Sequence, residues 1–122
     1  MESSVLAQFK DLGLALVLAF AACGSAAGAG TAGMAAIGAW KKNYVQNKAA
    51  SFLLVALVGA PLTQTIYGYL VMNALYDVAA RGHYLWGMGC FCGLAIGVSA
   101  YWQGKCAAAA CEPPMTTGGQ RP

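Results

Sequence analysis

The sequence contains very little charge. Only 9% of its 122 residues are charged and 59% are hydrophobic, whereas soluble globular domains have roughly 25% charged residues. Three long runs, at 12–40, 49–76 and 84–104, contain no charged residue. Each run can cross a hydrocarbon core of ~30 Å as an α-helix that rises ~1.5 Å per residue. The scarcity of charge therefore excludes an ordinary soluble domain and predicts an integral membrane protein.

Other missing patterns exclude several kinds of site. The net charge of +3 is scattered along the chain, and no basic cluster alternates with aromatic residues, so we expect no nucleic-acid surface. The five cysteines include no C-x-x-C pair, which argues against a disulfide framework or a zinc site with His83. The peptide GAGTAG at 28–33 matches a dinucleotide loop. However, no acidic residue lies between Asp11 and Asp77 to bind the ribose, so the match is spurious.

The three apolar runs predict an all-α membrane protein, with a transmembrane helical hairpin and a third transmembrane helix. Since all three runs are long enough to span, the whole chain, 1–122, would be one small helical membrane domain. A short polar loop at 41–48 would join the first two helices. The predicted segments are the transmembrane helices at 12–40, 49–76 and 84–110 and a non-helical polar tail at 111–122.

The first helix contains small residues at three- and four-residue spacing, in the segment GSAAGAGTAG. In a membrane helix this spacing gives a face on which another backbone can approach closely. We therefore predict a tight packing face. Its glycines are Gly24, Gly28, Gly30 and Gly33.

The positive charges predict how the chain is oriented. Basic residues in the cytoplasm usually outnumber those outside. One side has five of them and the other has two, if the three runs cross the membrane. The five are Lys41, Lys42, Lys48, Lys105 and Arg121, and the two are Lys10 and Arg81. The loop at 41–48 is therefore predicted in the cytoplasm and the N-terminus outside.

The second run contains polar residues near the bilayer midplane, in the peptide GAPLTQTIYG at 59–68. Helical spacing puts these groups on one face. Pro61 has no N–H for the carbonyl of Leu57, so we expect the helix to open just before it. The residues of this face are Ala60, Thr63, Gln64, Tyr67 and Gly68.

The oxygens of this face are open to two interpretations. Carbonyl, hydroxyl and amide oxygens are hard ligands, which suit a small cation. The same groups also suit a packing kink, in which Thr63 and Gln64 only hydrogen-bond to neighbouring helices. The sequence pattern alone is compatible with both.

A weak internal repeat relates the first and third helices. A shift of 76 positions superposes Gly13 on Gly89 and Gly28 on Gly104. We interpret the third helix as a second copy of the first with the same direction, an arrangement known in membrane proteins. A second copy of the helix that carries Gln64 is absent.

Three segments together resemble the proteolipid K subunit of the vacuolar/archaeal-type rotary ATPases of bacteria. They are GSAAGAGTAG with the lysines that follow, APLTQTIYG, and GLAIGVSAYWQGKCAAAA, and the resemblance covers about residues 11–110. In that family two tandem hairpins form four helices. The subunits form a membrane ring that turns against a stator as ions bind and leave.

The resemblance implies a rotor-ring subunit of a V/A-type ATPase or ATP synthase in the bacterial inner membrane. The chain would be no enzyme by itself and would need no cofactor. Its partners would be identical copies in a ring, a stator subunit of the a/I type, central-stalk subunits and the lipid bilayer. Gly24, Gly28, Gly30 and Gly33 would pack the ring.

The resemblance also implies a site for the transported ion, Na⁺ or H⁺. Thr63, Gln64, Gln103 and the Ala60 carbonyl would be ligands, and Tyr67 would hold the ion-binding carboxylate. A proton site needs little beyond one carboxyl in an apolar pocket, whereas several oxygens favour sodium.

The carboxylate lies on the fourth helix in the family, and this sequence shows no such helix. After Ala110 the chain reads CEPPMTTGGQRP, which cannot continue a spanning helix. A truncated or frame-shifted copy is one explanation, and a genuine three-helix variant is the other. We expect this copy to be incomplete for transport.

Two further classes of function are compatible with the composition. One is a small non-rotary membrane protein, such as an oligomeric channel or transporter component. The other is a lipid-anchored protein cleaved at Cys23, since LAFAAC is faintly similar to a lipoprotein signal. Asp11 precedes this peptide and the apolar run continues to Trp40, so we do not expect cleavage.

Overall fold

The computed structural model describes residues 2–83 and 85–111. The described residues form helices and contain no strand, so the predicted all-α class is confirmed for this part of the chain. The predicted polar tail lies outside the described residues, except for Cys111. The elements are α1 (Glu2–Val45), α2 (Leu53–Gly59), a 3₁₀ turn (Ala60–Leu62), α3 (Thr63–Ala80) and α4 (Trp86–Ala110).

The helix α1 is longer than the predicted membrane span. It begins at Glu2 and continues through Lys41 and Lys42 to Val45. Asn43 is only 1% exposed, so packing holds the helix beyond Trp40. Lys42 lies in the last turn, where a cation is favourable at the negative end of the helix dipole.

The prediction of a loop at 41–48 is therefore wrong for residues 41–45, which are helical. The connection begins after Val45 and includes Asn47, whose φ of 52° is in the left-handed region. Asparagine tolerates this conformation better than most residues. The indole N–H of Trp40 donates to the carbonyl oxygen of Ser51 at 3.2 Å and joins the end of α1 to the segment before α2.

The helices α1 and α4 lie side by side in the same direction, with small residues between them. Gly13 contacts Gly89 near the start of α4, and Gly28 contacts Gly104 further along. A Cβ added to Gly93 would lie 2.8 Å from the carbonyl oxygen of Leu16. The two backbones are therefore too close for any larger residue at these positions.

The contacts between Gly13 and Gly89 and between Gly28 and Gly104 are the pairs that the sequence repeat superposes. Equivalent positions of α1 and α4 thus lie at the same level along the two axes. This arrangement is the one expected if α4 is a parallel copy of α1.

The continuous run of α2, the turn and α3 packs against α1 in the opposite direction. Gly68 lies against Ala21, whereas a Cβ on Gly28 would lie 3.1 Å from the Cβ of Pro61. Later positions on α3 therefore contact earlier positions on α1. Three helical rods result, and Gln64 and Gly68 of the predicted polar face lie on the side of α3 that meets α4 and α1.

Two helical segments are long and apolar enough to cross a membrane, namely Leu12–Val45 and Leu53–Ala80. In their most apolar windows only 28% and 17% of the residues are buried, unlike a helix in the core of a soluble protein. Phe91 on α4 is 74% exposed. So much apolar surface requires lipid or a protein partner to cover it.

Candidate cation site

The interruption predicted at Pro61 is present as the 3₁₀ turn. The helix α2 ends at Gly59 and α3 begins at Thr63, because proline supplies no N–H for an α-helical bond. The Thr63 hydroxyl donates to the Ala60 carbonyl oxygen at 2.9 Å. Two of the predicted ligand oxygens are therefore neighbours.

Gln64 and Gln103 meet although they are on different helices. The Gln64 side-chain N–H donates to the side-chain oxygen of Gln103 at 3.5 Å. Both side chains are half-buried. This distance is at the upper limit for a hydrogen bond, so the pair can separate slightly around a small ligand without losing much interaction energy.

Ser25 lies at the same level on α1. Ala21, one turn before it, contacts Gly68 on α3, and Gly28, one turn after it, contacts Pro61. In antiparallel helices this register puts Ser25 opposite Gln64. Ser25 is 1% exposed, so three helices contribute a polar side chain at this depth.

Sequence patterns alone did not distinguish Ser25 from the glycines and alanines around it. A signal was available. Ser25 introduces a hydroxyl into a face of small residues, one turn from Gly28, whereas most of its neighbours are glycine or alanine. That hydroxyl becomes a candidate site group only because Gln64 lies opposite it. This position of Gln64 follows from the packing of α3 on α1.

Two of the other predicted site residues are more exposed than this cluster. Thr63 is exposed, and Tyr67 is 54% exposed. The described residues provide no hydrogen-bond partner for the Tyr67 hydroxyl. The structure thus brings the predicted set together as two pairs, Ala60 with Thr63 and Gln64 with Gln103.

The four glycines predicted to pack a ring differ in their surroundings. Gly24 and Gly28 contact α4 of the same chain. Gly33 has only Val58 nearby, 3.8 Å from the position of an added Cβ, and an added Cβ on Gly30 would have no neighbour within 4 Å. Packing between chains stays a prediction, and Gly30 is the glycine best placed for it.

The cluster is electrically neutral. No acidic residue occurs between Asp11 and Asp77, and Asp77 is exposed near the end of α3. The described residues contain no group of three or more His, Cys, Asp or Glu side chains that could hold a metal ion. The candidate ligands are therefore neutral oxygens of side-chain amides, of hydroxyls and of the Ala60 carbonyl.

Lys105 is two positions beyond Gln103, but an aromatic ring lies next to its charge. Its ammonium nitrogen is 5.5 Å from the centroid of the Tyr101 ring. Tyr101 is one turn earlier on the exposed side of α4, and a cation at this distance is attracted by the face of the ring. This contact keeps the lysine on the outside while Gln103 faces α3.

No known protein family, curated protein or solved structure matches this chain. The resemblance to the proteolipid K subunit therefore stays a prediction. Support for the residue roles that it implies comes from the geometry of the site alone.

Proposed function

We propose that the chain is a rotor-ring subunit similar to the proteolipid K subunit of V/A-type ATPases. One observation carries the proposal, namely the hydrogen bond between Gln64 and Gln103. The resemblance gives both residues a ligand role from different helices. They are 39 positions apart in sequence, and their contact is what a shared ion site requires.

In this proposal α1 and the run from α2 to α3 form a transmembrane hairpin, and α4 is a third spanning helix. α4 is not among the segments that are long and apolar enough to span by themselves. Its glycines nevertheless match α1 level by level, so the two helices occupy the same depth. The lysines at 41–48 are on the cytoplasmic side of a bacterial inner membrane and the N-terminus is outside.

The outer face of α1 supports assembly into a ring. A stripe of small residues on this face is exposed in the single chain, and small residues favour close helix contacts in lipid. A thin helix of this kind fits the crowded inner circle of a ring. The residues of the stripe are Ala15, Ala19, Cys23, Ala26 and Gly30.

The chemistry of the site favours sodium over a proton. Na⁺ is a hard cation that takes several oxygen ligands, and Gln64, Gln103 and the Ala60–Thr63 pair offer them. Neutral oxygens leave the charge of the ion uncompensated in a low dielectric. This chain alone therefore binds sodium weakly, and transport requires a carboxylate from another segment or subunit.

Sodium-dependent stability tests the proposal. The purified protein in mild detergent is melted in sodium chloride and in choline chloride at equal ionic strength and pH. We expect a higher Tm in sodium, because a ligand that binds only the folded state stabilises it. The difference is lost in Gln64→Ala and Gln103→Ala but kept in the control Gln46→Ala, which changes an exposed loop residue. Equal Tm values in both salts for the wild type would contradict a cation site.

A second candidate is a non-rotary oligomeric channel or transporter component. The exposure of Thr63 and Tyr67 favours it, since polar groups on an outer membrane face require a protein partner. Small oligomers that conduct ions without rotary partners would support this candidate. A lipid-anchored protein cleaved at Cys23 would lose Gly13 and Ala21, which pack against α4 and α3.

A further inference from the structure

The hydroxyl of Ser25 is buried without a hydrogen-bond partner among the described residues. A serine inside a helix commonly donates to the carbonyl four residues earlier, which here is that of Ala21. Ser25 makes no such bond, although its side chain is 1% exposed. Buried polar groups in native proteins nearly always have a partner, which can be a bound water or ion.

The surroundings of Ser25 indicate what that partner is. On α1, Ala21 contacts Gly68 and Gly28 contacts Pro61. Ser25 lies between these two positions, so its hydroxyl is at the level of Gln64. Gln64 is joined to Gln103 by a single long hydrogen bond of 3.5 Å. The Gln64 oxygen is not used in that bond, and the Gln103 oxygen keeps a second lone pair. Three oxygens from three helices are therefore available at one depth.

We propose that the Ser25 hydroxyl oxygen is a ligand of the same cation that Gln64 and Gln103 hold. This inference rests on the proposed function. The bound cation is Na⁺, which favours hard oxygen ligands. Ser25 connects α1 to the site, so sodium joins all three helical rods and not only α3 and α4.

The proposal predicts that Ser25→Ala changes the stability differently in the two salts. Without sodium the wild-type hydroxyl is buried and unpaired, so its removal leaves the stability unchanged or raises it. With sodium the variant lacks one ligand and gains less stability than the wild type. A serine that only fills space would instead give the same change in both salts.

The experiment compares the Tm of the purified full chain in sodium chloride and in choline chloride over a range of salt concentrations. For the wild type we expect sodium to raise the Tm by roughly 3 °C or more. In Ser25→Ala we expect the apparent sodium affinity to fall roughly tenfold, with no loss of Tm in choline. The matched control is Ser99→Ala, which removes an exposed hydroxyl from α4 and leaves the sodium response intact.

A second variant tests the ligand chemistry with a side chain of the same connectivity and one larger atom. Ser25→Cys replaces the oxygen by a softer sulfur, which Na⁺ disfavours, so its sodium response also falls. A full sodium response in Ser25→Ala, with the response lost in Gln64→Ala, would overturn the role of Ser25 while leaving the cation site in place. No sodium response in the wild type would overturn the cation site itself.

Discussion

Gly104 lies against the backbone of Gly28, and neither position has space for a side chain. This contact places α4 beside α1 and also fixes where Gln103 lies, because Gln103 is the residue just before Gly104. Close backbone packing and the polar cluster therefore depend on each other. A disturbance of the glycine contact should therefore move Gln103.

Replacement of Gly28 by leucine should separate α1 from α4. The new side chain would meet the Ala100 carbonyl and the Cβ of Pro61, and overpacking of a tight contact costs about 1–3 kcal/mol. We expect a lower Tm in detergent and loss of the sodium response. The control is Gly38→Leu on the same helix, where an added Cβ has no neighbour within 4 Å. An unchanged Tm in Gly28→Leu would show that the two helices are not in close contact.

Replacement of Gly30 by leucine should affect assembly and not the fold of one chain. No atom lies within 4 Å of an added Cβ at Gly30, so the variant can keep its helices packed. In a ring the bulky side chain would block approach of the next copy. We expect smaller species in size-exclusion chromatography with helical circular dichroism unchanged. Oligomers of wild-type size would exclude this face from the contact between copies.

Gln64 and Gln103 should show a small but measurable coupling. The 3.5 Å bond between them is long, and interhelical hydrogen bonds in membranes average about 0.6 kcal/mol. A double-mutant cycle with Gln64→Ala and Gln103→Ala in choline should give a coupling free energy of about this size. Additive effects of the two substitutions would mean that the side chains do not interact in the folded protein.

The chain should not transport ions as the only rotor subunit. It has four acidic residues, and none lies between Asp11 and Asp77, so no carboxylate is available to balance a cation at the level of Gln64. We expect no ion-coupled ATPase activity after reconstitution. A carbodiimide that modifies membrane-buried carboxyls should label nothing at 49–104, where the sole acidic residue is the exposed Asp77. Labelling of Asp77 would contradict the account, because it would place that carboxyl inside the membrane.

Much of the architecture follows from local sequence properties. The lack of charge predicts long apolar helices, and Pro61 predicts the break before Thr63. Both features are set by the residues of a single segment and need no contact with another. The end of α1 was not predictable in the same way. Lys41 and Asn43 read as a loop, but burial of Asn43 extends the helix to Val45.

The candidate site depends on contacts that one segment cannot show. Gln64 and Gln103 are both recognisable as polar residues in apolar helices, yet their meeting depends on the register of α3 and α4. Ser25 becomes part of the site only because α1 packs against both helices. Thr63 and Tyr67 share a face with Gln64 by periodicity, but they point outward because α4 covers only part of that face.

The oligomeric state tests the central claim most directly. Native mass spectrometry of the protein extracted in mild detergent measures how many copies assemble. A rotor-ring subunit should form one closed ring of many copies with a uniform number of subunits, and sodium should stabilise it in the wild type but not in Gln64→Ala. Monomers or dimers alone, unaffected by sodium, would contradict the account.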